Sequence, residues 1–75
     1  MITERDGFLT IKLNPEFYEM ESVLQAYKEL EKYTESSFSH EDYFVIKIRK
    51  KEDSKEYGYE FINYVLKLMK EKGTV

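Results

Sequence analysis

A two-layer α+β sandwich of βαββα order is written into these 75 residues by two segments with the period of half-buried strands and two with the period of amphipathic helices. "FLTIKL" and "YFVIKIR" place apolar side chains at every second position, whereas "EMESVLQAYKELEKY" and "EYGYEFINYVLKLMKEK" place them three and four apart. The length keeps everything in one domain, residues 1–75, near the size at which a lone apolar core needs reinforcement. There is no cysteine and His40 is the only imidazole, so neither a disulfide nor the usual zinc cage can supply it. A second copy of the chain is then the expected reinforcement.

Strand one runs from Phe8 to Leu13, with Leu9, Ile11 and Leu13 facing the core and Phe8, Thr10 and Lys12 facing away. Asn14-Pro15 ends it, because proline cannot donate to a ladder yet suits the first turn of a helix. Helix one starts there or near Glu19. Met20, Val23, Leu24, Tyr27, Leu30 and Tyr33 form its apolar stripe beside Glu21, Gln25, Lys28 and Glu29. A weaker strand two covers Thr34 to Ser39, with Phe38 as its core residue and "HED" as the hairpin turn after it.

Strand three, Tyr43 to Arg49, carries the strongest alternation and belongs in the middle of the sheet, with Phe44, Ile46 and Ile48 inward. A charged loop, "KKEDSK", follows, and Asp53 with Glu56 makes a capping box for helix two. Within that helix Phe61, Ile62, Val65, Leu68 and Met69 face the core, and Gly58 permits close approach to the sheet. Lys67, Lys70 and Lys72 suit its C-terminal end and Gly73 stops it. No internal repeat, low-complexity run or linker is visible.

A right-handed crossover closes this order if strand three lies between strands one and two, giving a three-stranded antiparallel sheet of order 1-3-2 with both helices on one face. That is a ferredoxin-like arrangement lacking its last strand. Strand one then has a bare edge with no proline or inward charge to protect it, so the edge should be occupied. Either two copies pair through it as a homodimer, or a peptide adds there as an extra strand.

The net charge of −3 argues against a protein that wraps phosphate backbones. No stretch approaches the roughly 20 apolar residues of a membrane span and no secretory leader is visible, so a cytoplasmic protein without membrane contact is expected. Lys and Glu dominate while Asn and Gln are scarce, a bias shared with hyperthermophile proteins.

Chemistry-bearing clusters are few. His40, Glu41 and Asp42 are adjacent in a turn and cannot converge on one ion; Glu16, Glu19 and Glu21 suit a helix N-terminus. Phosphate loops, nucleophile elbows, His-Glu metal motifs and dinucleotide fingerprints are absent, so no catalytic residue, cofactor or metal is expected. Two surfaces remain. The uncovered sheet face mixes Phe8, Thr10, Tyr43 and Val45 with Lys12, Lys47 and Arg49, an aromatic and cationic pattern that can stack single-stranded nucleic acid. Tyr57, Tyr59 and Tyr64 on helix two can anchor a protein partner. A non-enzymatic protein or peptide interaction module, homodimeric, is the expectation, with weak nucleic-acid binding as the alternative.

The ordered segments "LNPEFYEMESVLQAYKEL", "YFVIKIRKK" and "EFINYVLKLMKE" resemble the small His-Xaa-Ser system protein D (HxsD-like) family, at Tyr18, Ala26, Tyr27, Glu60, Phe61 and Asn63. Members are encoded beside radical-SAM proteins that modify peptides. The resemblance implies an accessory, peptide-handling role and transfers no catalytic residue. The chain lacks the arginine that tends to close the family's last helix.

Overall fold

The computed structural model describes residues 2–52 and 54–73. Asp6 and Gly7 lie at φ 53° and φ 80°, the pair of left-handed angles that a two-residue type I′ hairpin requires and that Asp-Gly supplies. The turn joins strand β1 (Ile2–Arg5) to strand β2 (Phe8–Leu13). Helix α1 (Met20–Leu30), strand β3 (Ser36–His40), strand β4 (Phe44–Arg49) and helix α2 (Ser54–Glu71) follow. All four strands are antiparallel in the order β1-β2-β4-β3.

The sheet therefore has four strands, and the three-stranded expectation is corrected by one. Strands β2, β4 and β3 are neighbours in the expected order, and β1 is added outside β2. The edge of "FLTIKL", expected to await a second copy or a peptide, is filled by the chain itself through Ile2↔Ile11, Thr3↔Thr10, Glu4↔Leu9 and Arg5↔Phe8. The outer strands are now the short, charged β1 and the short, polar β3, and shortness and charge are two of the ways in which sheets blunt their edges.

Alternation places Leu9, Ile11, Leu13, Phe44, Ile46 and Ile48 under the helices, each at most 1% exposed. They join Val23, Ala26 and Leu30 of α1 and Phe61, Val65, Leu68 and Met69 of α2 in one core, each large side chain contributing about 1.5 to 3 kcal/mol by leaving water. Gly58 meets the sheet as expected: a Cβ there would stand 2.8 Å from Leu9 Cδ2. Gly73, at φ 76°, donates to the Lys70 carbonyl and terminates α2. The Asp53 half of the expected capping box lies outside the described residues.

Three finer expectations are displaced. Helix α1 buries Ser22, Val23, Ala26 and Leu30, while Met20 is 45% exposed; the small residues at 22 and 26 fit against the core better than the long stripe expected there. Tyr33 lies in the turn after α1 and stacks on Tyr57 instead of entering the core. His40 ends β3 opposite Phe44 instead of sitting in the turn.

The molecule also repeats itself, which the sequence reading did not find. Both β1-β2-α1 and β3-β4-α2 are hairpin-helix units, and Ile11 pairs with Ile46, 35 residues further on. Advancing β2 and α1 by that separation brings them to within a residue of the starts of β4 and α2. Buried Val23, Ala26 and Leu30 then coincide with buried Gly58, Phe61 and Val65, and half-buried Tyr27 with Ile62. The outer strands correspond at one residue more, Ile2 with Phe38, the residues that pair with Ile11 and Ile46. A local two-fold axis thus passes through the Ile11↔Ile46 pair, normal to the sheet.

Candidate binding face

The side of the sheet away from the helices is open, and ladder register assigns its residues. Across one row stand Arg5, Phe8 and Arg49; across the next, Thr3, Thr10, Lys47 and Ser37; across the third, Lys12, Val45 and Ser39. Lys12, Lys47 and Arg49 are exposed, and Phe8, Thr10 and Val45 half-buried. No outward strand position holds a carboxylate, although the chain as a whole carries −3. Two acids stand beside the face outside the strands: Glu35, just before β3, whose Oε2 lies 3.0 Å from Arg49 Nε, and Glu41, just after β3, whose N–H donates to the Tyr43 carbonyl.

The neighbouring acid of β1 points the other way. Glu4 faces inward opposite Leu9, with Lys50 Nζ at 3.0 Å and Lys55 Nζ at 3.4 Å. The hydrogen bond from Lys50 is the main reason its carboxyl is held below the usual carboxylate range. One consequence is that β1 adds Arg5 and Thr3 to the open face and removes Glu4 from it.

Aromatic rings stand at both ends of the face. The Arg49 guanidinium carbon is 5.4 Å from the centre of the Phe8 ring, within cation-π range. At the far end Tyr43, 45% exposed, borders a hollow of about 500 Å³ with Lys12, Asn14, Phe17 and Tyr18. The hollow exists because Asn14 turns the chain. Its side chain accepts from the Glu16 N–H and its carbonyl from the Phe17 and Tyr18 N–H groups, and Phe17 is left 70% exposed.

Of the candidates named from sequence, Phe8, Thr10, Lys12, Lys47 and Arg49 share this face and Tyr43 stands at its end. Tyr57 and Tyr64 do not: they line a cleft of about 400 Å³ between the helices, with Tyr33, Phe61, Glu29 and Glu60. Tyr57 is engaged there, its ring 6.5 Å from that of Tyr33 and nearly parallel to it. Tyr59 is exposed away from that cleft's lining. Sequence reasoning missed Thr3 and Arg5, for which the Asp6-Gly7 turn was the available signal, and it missed Phe17, for which there was none.

The acidic clusters have structural partners. Ser22 donates to Glu19 at 2.6 Å, and Lys72 lies 3.1 Å from Glu19 and 3.2 Å from Glu21. First the Ser22 hydroxyl and then Lys72 hold the Glu19 carboxyl below its usual range. The His40 ring rests 4.6 Å from that of Phe44. Among the described residues no group of three or more His, Cys, Asp or Glu could hold a metal ion, and no helix is long and apolar enough to cross a membrane. Comparison with protein-family models, curated proteins and solved structures returns no match, so the chain's own geometry carries the functional reading.

Proposed function

We propose that this protein is a non-catalytic interaction module that presents the open face of its sheet to an anionic partner. The observation that carries the reading is charge segregation. Arg5, Lys12, Lys47 and Arg49 share a face whose strand positions hold no acid, in a chain with more acids than bases. A single-sign surface steers oppositely charged partners toward itself. The HxsD-like resemblance is in keeping with an accessory module of this kind.

A homodimer built by pairing two copies of strand one has lost its edge, since β1 occupies it. Proline at Thr10 or Ile11 therefore becomes a test of folding, not of association.

The test is retention on a polyanionic matrix at low salt. The native chain should bind and elute as salt rises, and Lys12→Glu with Lys47→Glu should flow through. Lys67→Glu with Lys70→Glu, on α2, should still bind. Equal loss in both variants, or no retention of the native chain, refutes the reading.

A further inference from the structure

The open face is more than a patch of charge, because its aromatic and cationic residues obey the local two-fold axis. The separation that carries Ile11 onto Ile46 also carries Phe8 onto Tyr43 and Lys12 onto Lys47. Register places Lys47 beside the Phe8 end of the face, and Lys12 lines the same hollow as Tyr43. The face is thus two similar half-sites, each an exposed or half-exposed ring next to a lysine, pointing in opposite directions along the sheet. Six strand positions at about 3.3 Å each separate the ring levels by about 20 Å, and Thr10, Lys47, Lys12 and Val45 lie between them.

Resting on the reading of this face as an anion-binding surface, we propose that its partner is single-stranded nucleic acid, with one base stacked at each ring and the intervening phosphates on the lysines. The chemistry separates this occupant from an acidic peptide. A carboxylate chain needs only the cations and has no use for the rings. A single strand has both a regular negative charge and flat bases, and base stacking on aromatic side chains is tolerant of sequence. A duplex hides its bases in the stack and cannot use the rings. The half-sites differ in charge: Arg5 and Arg49 flank Phe8, whereas Phe17 and Asn14 flank Tyr43, whose carbonyl accepts from the Glu41 N–H.

Fluorescence anisotropy on the intact chain tests the proposal, with a labelled mixed-sequence single strand of about ten nucleotides, the same sequence as duplex, and labelled poly-glutamate. Expected are binding of the single strand in preference to the duplex and a logarithmic salt slope of about −2 to −3 from four cations. Tyr43→Ala and Phe8→Ala should each weaken the single strand about ten-fold while leaving poly-glutamate unchanged. Tyr43 is exposed, so its variant tests the idea even if Phe8→Ala unfolds, which circular dichroism would report. If poly-glutamate binds as well as the single strand and neither responds to ring removal, the nucleic-acid proposal is overturned and the anionic-partner reading stands. Tighter binding of duplex also overturns it. If neither polymer binds at low salt, both readings are overturned.

Discussion

Gly7 shows how one residue sets a strand that composition alone would not support. Its φ of 80° lies where a side chain costs about 1 to 2 kcal/mol, and a Cβ there would meet nothing within 4 Å, so any loss on substitution is purely conformational. Gly7→Ala should lower unfolding free energy by about 1 kcal/mol in a denaturant titration with unchanged slope; an unchanged midpoint would remove the type I′ assignment. Glu19 gives a pH prediction of definite sign. Its carboxyl is held below the ordinary value of 4.5, first by the Ser22 hydroxyl and then by Lys72. A depressed carboxylate contributes stability that is fully present above its unfolded pKa and is lost as pH falls through the folded one. Ser22→Ala should move the Glu19 titration, followed by carboxyl NMR, back toward 4.5 and make the acid-side loss shallower. No movement on substitution would mean that Ser22 is not what holds the carboxyl down.

Strand β1 is the element whose presence matters most, since it closes the edge of β2 and contributes Arg5 to the open face. It has only four residues, and its inward side offers one half-buried side chain, Ile2, and one carboxylate, Glu4, held by Lys50 and Lys55. Surface ion pairs contribute little to global stability, but a short outer strand opens locally before the core does. Glu4→Gln should therefore speed amide hydrogen exchange in β1 while shifting global unfolding only slightly; unchanged β1 protection would show that backbone pairing alone retains it. The same element marks the limit of what the sequence makes legible. Leu9, Ile11, Leu13, Phe44, Ile46 and Ile48 reveal themselves because alternation over six residues has one physical cause, burial of one face. "ITER" alternates too briefly, and with too much charge, to declare a strand unless Asp6-Gly7 is weighed as a hairpin turn. On the open face Phe8, Lys12, Lys47 and Arg49 were legible as the complement of the core positions. Arg5 was not, because its face depends on a register set by β1. The Phe17 hollow depends on how Asn14 turns the chain, which no periodicity encodes.

For the molecule as a whole, the two-fold arrangement makes a claim that no single element can test. If β1-β2-α1 and β3-β4-α2 are equivalent units around the Ile11↔Ile46 pair, then the chain order of the units is dispensable, provided that the connection between them reaches. In the native chain residues 31–35 carry the end of α1 to the start of β3. The equivalent closing connection would run from the end of α2 to the start of β1. Helix α2 continues about six residues past the point matching the end of α1, an overshoot of about 9 Å at 1.5 Å per residue, so a flexible linker of about six added residues should bridge it. A circular permutant opened between Lys32 and Tyr33 and closed by such a linker would read β3-β4-α2-β1-β2-α1. It keeps every ladder pair and the whole buried core. We expect native-like circular dichroism and one cooperative thermal transition, with the loss of stability confined to the opened turn and the Lys32–Glu29 pair beside it. A non-native spectrum, or separate melting of the halves, would show that the hairpin-helix units are not interchangeable and that their likeness ends at the backbone.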